Sequence, residues 1–154
     1  MPPAAQATAR DLIELIQTRY HEGHRRAFGP LRALLAALPA DCLAQDLAAA
    51  THRLFDQLEQ HMFKEEMRLF PMMEQGGNTL LWQLVDAMCA EHLGQRDQIR
   101  QLQSGLSLLV VPAGCEALLA ELRQTAGKLF ADLIEHMDVE DEVLFQRFGS
   151  RGRH

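Results

Sequence analysis

The sequence predicts an all-α protein folded as an up-down-up-down antiparallel four-helix bundle. Long segments rich in Leu, Ala, Gln, Glu and Arg favour helices. β-branched residues are few and rarely alternate, so strand patterns are nearly missing. Three short breaks with Pro, Gly, Asn or Asp divide the chain into four segments. Short connections between long helices place consecutive helices antiparallel, which gives the bundle.

The first predicted helix runs from about residue 8 to 38 and begins at Thr8, a favourable N-cap. Gly29-Pro30 interrupts it, and we expect this pair to kink or shorten the helix. The second predicted helix runs from about 41 to 73, with Asp41 as its N-cap.

The third predicted helix runs from about residue 78 to 106 and follows a Gly-Gly break, with Asn78 as its N-cap. The fourth runs from about 112 to 148, and Pro112 suits its first helical position because proline has no N–H to leave unpaired there. The phenylalanines and five methionines are predicted to fill the core: Met62, Met67, Met72, Met73 and Met137.

Length and composition indicate a single domain, residues 1–154, with a bundle over about 8–148 and short polar tails. The formal net charge of -6 argues against nucleic acid and anionic membranes as partners, since both attract clustered Lys and Arg. The three cysteines lie far apart and are odd in number, which is typical of reduced thiols. The N-terminus has no secretory pattern and no apolar run is long enough for a membrane helix, so we expect a cytoplasmic protein.

Two segments of the chain repeat each other without a gap. The sequence LFDQLEQHMFKEEMRLF at 54–70 aligns with LFADLIEHMDVEDEVLF at 129–145, and eight of the seventeen positions are identical. The identical positions include His61 and His136, and also Glu65 and Glu140. The chain is therefore predicted to consist of two related helical hairpins, each with an HxxxE motif on its second helix.

The HxxxE spacing places a histidine and a glutamate on one helix face, because residues four apart lie one turn from each other. In both repeats this face also carries the leucines of the apolar stripe, so His61, Glu65, His136 and Glu140 are predicted to point into the core. A buried carboxylate without a partner costs much free energy, and a metal cation is one partner that compensates it.

Two more histidines are predicted to lie at the same height. His21 and His61 are about equally far from the first break, and His92 is as far from the second break as His61. In an antiparallel bundle, equal distances from a turn give equal heights. The sequence therefore predicts one layer of four histidines and two glutamates, which is a donor set for two metal ions: His21, His61, Glu65, His92, His136 and Glu140.

Other readings compete with a metal layer. A single HxxxE motif most often forms a surface hydrogen bond or occurs by chance, and a single histidine on an apolar face is usually a packed core residue. The metal hypothesis rests on the repetition of the motif in register, together with two further histidines at matching depth. A helical bundle whose polar layer binds nothing is the remaining alternative.

Residues next to the candidate ligands have separate interpretations. His24 follows His21 by one turn and is predicted to lie beside the site or in solvent. Cys89, one turn before His92, could lie near the metals, but the pattern favours a small buried apolar residue. Glu66 and Asp141 follow the two ligand glutamates and are predicted to turn away from the site into surface charge pairs.

The sequence resembles the hemerythrin-like (HHE cation-binding) family. The segments HMFKEEMRLFPMM, HMDVEDEVLF and RYHEGHRR carry the resemblance, which covers nearly the whole chain and is strongest to the bacterial repair-of-iron-centres proteins. The resemblance implies a di-iron centre with two histidines per iron and with Glu65 and Glu140 as bridges, which an oxide or hydroxide could complete. Oxygen-carrying hemerythrins have a further histidine where this chain has Arg96, which argues against a simple oxygen carrier.

The resemblance implies a role in the nitrosative and oxidative stress response, with iron donated to damaged iron–sulfur centres or used to repair them. An apo iron–sulfur protein would then be a partner. Many such proteins have a further N-terminal domain with cysteines, whereas this sequence reaches its first predicted helix at Thr8. The alternatives are a reversible sensor or carrier of oxygen or nitric oxide, and a redox enzyme acting on nitric oxide or peroxide, in which Glu91 could move protons. No catalytic residue is predicted, and the sequence does not decide which histidines share one metal or exclude zinc or manganese.

Overall fold

Four long helical segments account for nearly all of residues 8–77 and 79–148, the ranges that the computed structural model describes. The first comprises an α-helix Ala9–Leu15, a π-helical turn Ile16–His21 and an α-helix Glu22–Ala37. The second comprises an α-helix Cys42–Lys64, a π-helical turn Glu65–Leu69 and an α-helix Phe70–Glu74.

The third segment is one α-helix, Thr79–Leu108. The fourth comprises an α-helix Glu116–Val139, a π-helical turn Glu140–Leu144 and a short 3₁₀ turn Phe145–Arg147. These four segments are called the first to fourth helix below. They confirm the all-α class and the four helices predicted from the sequence.

The packing order is that of a four-helix bundle. The first helix contacts the second and the fourth, and the third helix also contacts both of these. The beginning of the first helix, Ala9–Leu15, touches the ends of the second and fourth helices, at Phe70–Glu74 and Glu140–Leu144. The first helix is therefore antiparallel to both neighbours. None of the described helices combines the length and the apolar character needed to cross a bilayer.

The helix ends agree with the sequence at some positions and differ at others. Thr8 forms a capping box with Asp11, and the Asp41 side chain accepts a hydrogen bond from the N–H of Ala44. The prediction that Pro112 opens the fourth helix is wrong, because Gly114 has a φ of 95° and the helix begins only at Glu116. The predicted cap Asn78 lies outside the described residues.

Pro30 does not shorten the first helix, which continues to Ala37. Pro30 is exposed and so lies on the side of the helix away from the core, where the loss of one backbone hydrogen bond is tolerated more readily. At the opposite end of the bundle, Gly76 and Gly77 have φ values of 97° and 78° and turn the chain between the second and third helices.

The apolar core consists of two clusters at different heights of the bundle. One contains Phe28, Phe55 and Phe130, and the other contains Tyr20 and Phe145. Burial of this apolar surface stabilises the bundle. Between the clusters lies a layer of buried polar side chains, and this layer contains every residue that the sequence predicted as a metal ligand: His21, His61, Glu65, His92, His136 and Glu140.

Candidate metal centre

The six predicted ligands meet in the middle of the bundle and are almost completely shielded from solvent. Each has a relative exposure of 3% or less. Each helix supplies one histidine, and the second and fourth helices also supply one glutamate each. Burial at this level is expensive for carboxylates and imidazoles unless each is compensated, so the layer needs a physical explanation.

The donor atoms form two groups of four that share both glutamates. One group joins His21 and His136 with Glu65 and Glu140, and all its donor atoms lie within 4.8 Å of one another. The other joins His61 and His92 with the same two glutamates, at the same spacing. The structure thus pairs the histidines, which the sequence alone did not. Each group presents two imidazole nitrogens and two carboxylates, a donor set that could hold one metal ion.

The two glutamates have equivalent surroundings. Glu65 Oε1 lies 3.1 Å from His21 Nε2, and its Oε2 lies 3.4 Å from Nε2 of His61. Glu140 Oε1 lies 3.0 Å from His92 Nε2, and its Oε2 lies 3.2 Å from Nε2 of His136. Each carboxylate therefore reaches one histidine on its own helix and one on a neighbouring helix, so that it spans the two groups.

The innermost polar atoms have no hydrogen bonds to satisfy them. Both carboxylate oxygens of Glu65 and of Glu140, and Nε2 of His21 and of His136, find no hydrogen-bond partner among the described residues. Buried polar groups are nearly always paired, and an ionised carboxylate in an apolar interior is especially costly. A cation between these atoms would satisfy all of them at once, so the donor set fits a metal centre.

The backbone around the two glutamates departs from a regular α-helix in the same way. Glu65 and Glu140 are each the first residue of a π-helical turn. The N–H of Phe70 donates to the carbonyl of Glu65, and the N–H of Phe145 donates to that of Glu140, in both cases five residues back. Single π turns inside α-helices are rare and are frequent at functional sites. The internal repeat predicted the equivalence of the two positions but not this backbone feature.

Three of the four histidines are held by a carboxylate on the ring nitrogen that faces away from the centre. His21 Nδ1 lies 2.8 Å from Glu66 Oε2, and His92 Nδ1 lies 2.7 Å from Asp141 Oδ1. The prediction that Glu66 and Asp141 form charge pairs is confirmed by their contacts with Arg25 and Arg96, but the expectation that they turn away from the site is wrong, because both also contact candidate ligands. A residue that follows a ligand on a helix is rotated by about 100°, and here this rotation directs it into the groove beside the neighbouring helix.

The third carboxylate is Glu91, whose Oε1 lies 2.9 Å from His61 Nδ1. It comes from the third helix, one residue before His92, and its other oxygen pairs with Lys64 Nζ at 2.7 Å. Glu66 and Asp141 likewise each pair with a cation, Arg25 for the former and Arg96 for the latter. A carboxylate acceptor fixes the tautomer and orientation of a ligand histidine and raises its basicity.

The fourth histidine, His136, has a different partner. Its Nδ1 lies 3.1 Å from Nε2 of His24, which is 2% exposed. The Tyr20 ring stacks on His136 with a centroid distance of 5.3 Å. His24 is therefore buried beside the site and contacts a candidate ligand directly, as one of the two predicted alternatives stated.

The electrostatics of the layer divide the histidines into two classes. Burial lowers the pKa of His21, His61 and His92, but the neighbouring carboxylates outweigh it and raise these pKa values to about 9, about 10 and about 9. Burial and the nearby histidines instead lower the pKa of His24 to about 3, and burial holds that of His136 well below its usual value. Without metal, protons on these three histidines therefore supply positive charge at the positions where a metal ion would supply it.

The three carboxylates that contact Nδ1 of ligand histidines, Glu66, Glu91 and Asp141, are called the outer carboxylates, and they stay ionised. The hydrogen bond from His21 holds the pKa of Glu66 at about 2, and the one from His61 does the same for Glu91. Cys89, which the sequence placed near the site, contacts Asp141, and burial raises the pKa of its thiol to about 12. The thiol therefore stays protonated at neutral pH in the metal-free protein, and Cys89 belongs to neither group of four donors.

Comparison with known proteins places these features in a family. The family model described as "Hemerythrin HHE cation binding domain" matches residues 13–148. The iron-sulfur cluster repair protein DnrN of Neisseria gonorrhoeae is 30% identical over 138 residues, which are 88% of this chain and 88% of that protein.

Longer relatives match as well. The iron-sulfur cluster repair protein YtfE of Musicola paradisiaca is 30% identical over 148 residues, and the YtfE of Yersinia pseudotuberculosis (strain IP 31758) is 32% identical over 152 residues. Each match covers 92% of this chain but 66% of the relative. The chain thus spans about two thirds of the length of these YtfE relatives and most of the length of DnrN.

Proposed function

The chain belongs to the hemerythrin HHE cation-binding family, and we propose that its buried layer holds two iron ions. His21 and His136 would bind one iron, His61 and His92 the other, and Glu65 and Glu140 would bridge the two. The observation that carries this proposal is that both groups of four donors include the same two glutamates. We further propose that residues 8–148 fold as one domain around this centre.

The chemistry of the donor set supports iron. Mixed imidazole and carboxylate donors suit iron better than soft copper or hard calcium. Two histidines and two shared carboxylates would give each metal four protein donors. Positions beyond these four would be open to solvent or to a diatomic molecule such as oxygen or nitric oxide. Iron, when bound, would supply Lewis-acid and redox chemistry at six side chains that are each 3% exposed or less.

The protein's own residues would control how this iron is held. The three outer carboxylates accept the Nδ1 protons of His21, His61 and His92, so that Nε2 of each ring points at Glu65 or Glu140. His24 meets the ring of His136 in the same way. These contacts orient all four rings before a metal arrives, which reduces the entropy lost on binding.

We propose that the iron is cargo as well as cofactor, and that this protein donates iron to, or helps rebuild, damaged iron–sulfur centres in nitrosative or oxidative stress. The relatives named for iron–sulfur cluster repair support this role, and DnrN does so over most of its own length. The partner would be an iron–sulfur protein that has lost iron. Arg96 pairs with Asp138 and Asp141, and so it helps to hold the carboxylate that contacts His92.

An iron-transfer experiment tests the proposal. The protein would be prepared without oxygen, loaded with ferrous iron, and mixed with an apo iron–sulfur protein, a sulfide source and a reductant. We expect two irons per chain at the start and recovery of the cluster spectrum at the expense of that iron. A Glu65→Ala, Glu140→Ala double variant is the control and should neither bind nor transfer iron.

Two results would contradict the repair role. If the loaded protein keeps its iron in the presence of the acceptor but forms a reversible adduct with nitric oxide or oxygen, it is a sensor or carrier instead. If it binds no iron under any of these conditions, the di-iron proposal itself is wrong.

A further inference from the structure

The two proposed metal positions differ in the residues behind their histidines. Both histidines of one group are backed by carboxylates: His61 by Glu91 at 2.9 Å, and His92 by Asp141 at 2.7 Å. We call this group the carboxylate-backed half. Its two Nε2 atoms lie 3.0 Å apart, so both rings face the same point.

The other group has only one such carboxylate. His21 is backed by Glu66 at 2.8 Å, whereas His136 is backed by His24, with 3.1 Å between His136 Nδ1 and His24 Nε2. We call this group the mixed half. Tyr20 stacks on the His136 ring, and its centroid lies 6.1 Å from that of His24, so an apolar ring occupies the space beside this pair.

The hydrogen bond between His24 and His136 determines which nitrogen of His24 is free of a proton when a metal is bound. An imidazole that binds a metal through Nε2 carries its proton on Nδ1, and His136 must donate that proton to the nearest acceptor. The acceptor is Nε2 of His24, which therefore has no proton of its own in that state. A neutral imidazole accepts this hydrogen bond without adding negative charge. A carboxylate in the same position raises the basicity of the ligand histidine and so strengthens its bond to the metal.

Two surface pockets flank the layer. A groove of about 610 Å³ lies between the first and fourth helices and is lined by Tyr20 and Asp132. A smaller pocket of about 230 Å³ lies between the second and third helices and is lined by Glu91 and Gln95. No candidate ligand is among the residues that line either pocket, and the two halves differ in the acceptors behind their histidines.

We propose that the two metal positions are unequal, and that the metal held by His21 and His136 leaves the protein first. His24 is the positioning residue that sets this order. The proposal rests on the proposed two-metal function and deepens it, because it states which iron is delivered to an acceptor. The carboxylate-backed half would retain its metal and keep the layer assembled after the first transfer.

Stepwise removal of metal tests the order. Protein loaded with two ferrous ions would be challenged without oxygen by a chromogenic chelator, and the two release rates would be followed by absorbance. A half-loaded sample, prepared by stopping the reaction after one equivalent, gives the second rate alone. Partners behind ligand histidines typically change metal affinity by about 10- to 100-fold, and we expect the two rates to differ by about 10-fold or more.

Two substitutions assign the steps. Glu91→Gln replaces a carboxylate by a neutral acceptor of the same shape behind His61, and it should speed the second release about 10- to 100-fold without changing the first. His24→Glu places a carboxylate behind His136, and it should slow the first release without changing the second. Glu121→Gln removes an exposed carboxylate on the fourth helix and serves as the control for a change in net charge.

A spectroscopic signal separates an effect on the ligand from an effect on folding. In zinc-loaded protein, His24→Glu should move the His136 ring N–H resonance downfield, as expected for a stronger hydrogen bond, and leave the other three ring signals in place. If Glu91→Gln instead speeds the first release, or if both metals leave with equal rates and equal sensitivity to Glu91→Gln, the proposed order is overturned. Failure to load two metals would contradict the di-iron proposal and not the order.

Discussion

The Nε2 atoms of His61 and His92 lie 3.0 Å apart and face each other across the centre of the bundle. Two ring nitrogens at this distance form a hydrogen bond only if one of them carries a proton. A metal ion bound by both rings must replace that proton. Metal binding and proton release are therefore coupled in this layer.

The first prediction concerns the number of protons released. In the metal-free protein the neighbouring carboxylates raise the pKa values of His21, His61 and His92 to about 9, about 10 and about 9, so His21 and the His61–His92 pair hold protons at pH 7, and Nε2 of His61 and Nε2 of His92 share one of them. Since ligand histidines must lose the proton that the metal replaces, loading both metals at pH 7 should release about two protons per chain, one from His21 and one from the pair His61 and His92. Calorimetric titrations in buffers of different ionisation enthalpy measure this number directly.

The same coupling predicts that metal affinity rises with pH from 7 and levels off above about pH 10, where the three rings are already neutral. A His61→Ala variant is the control, because it should load only the metal held by His21 and His136, so that the proton of His21 alone is released and the count falls by about one. A binding enthalpy that does not depend on the buffer would show that no proton is displaced and would contradict the assignment.

The second prediction concerns stability and pH. The raised pKa values of His21, His61 and His92 mean that folding stabilises their charged forms. Their contribution is fully present below the unfolded value of 6.5 and is lost as the pH rises through about 9 to 10. The metal-free protein should therefore become less stable between these pH values.

Urea unfolding at a series of pH values, with and without metal, measures this effect. The loaded protein should keep its stability up to about pH 10, because the metal ions replace the protons as the countercharge of Glu65 and Glu140. At acid pH both forms should weaken, since the pKa of Glu66 and of Glu91 is held at about 2 and their contribution, present above 4.5, is lost as the pH falls through about 2. A metal-free protein whose stability is flat from pH 6.5 to 10 would contradict the raised histidine pKa values.

The third prediction distinguishes shared from unshared ligands. Glu65 and Glu140 belong to both groups of donors, whereas each histidine belongs to one. Glu65→Gln or Glu140→Gln should therefore abolish binding of both metals, while His61→Ala should leave about one metal per chain, held by the mixed half. Metal analysis of anaerobically loaded and desalted protein gives these counts. A Glu65→Gln variant that still holds two metals would show that the carboxylate does not bridge.

The sequence predicted the convergence of six side chains because two independent regularities agreed. The repeat placed His61 and His136 in equivalent positions, and the distances from the turns brought His21 and His92 to the same height. The structure does bring these side chains together, and their role as ligands remains a prediction that the variants above would test.

The outer residues could not be predicted from the same reasoning. A helical pattern shows which residues face the core, but Glu66 and Asp141 lie at the edge of that face, where the neighbouring helix decides whether they meet a partner or water. An acidic residue follows the glutamate in both repeats, and this was the available signal. The π turns at Glu65 and Glu140 have no comparable signal in composition or spacing.

The fourth prediction concerns phenylalanines, one of which the sequence wrongly assigned to the core. All phenylalanines were predicted to fill the core, yet Phe63 is 60% exposed, while Phe55 is completely buried and stacks on Phe28 with 4.1 Å between ring centroids. Phe55→Ala should lower the free energy of unfolding by about 3–5 kcal/mol, because it leaves a cavity in the larger core cluster. Phe63→Ala, the matched control, should change it by less than about 0.5 kcal/mol. Chemical denaturation of both metal-free variants measures the difference, and equal losses would contradict the assigned burial.

The fifth prediction separates two aspartates that bind the same arginine. Arg96 pairs with Asp138 at 2.9 Å and with Asp141 at 3.2 Å, but only Asp141 also contacts His92. Asp141→Asn should weaken binding of the metal held by His61 and His92 by about 10- to 100-fold, because the amide is a weaker acceptor for the His92 ring proton.

Asp138→Asn removes the same charge from the same arginine and touches no candidate ligand, so it should leave both affinities within about threefold of the wild type. Competition titrations of the two variants against a chelator of known affinity measure the constants. If the two substitutions weaken binding equally, the effect of Asp141 is that of net charge near the centre, and the hydrogen bond to His92 does not set the affinity. If only Asp141→Asn weakens it, the outer carboxylates act through the rings that they orient, which is the relationship on which the inequality of the two metal positions depends.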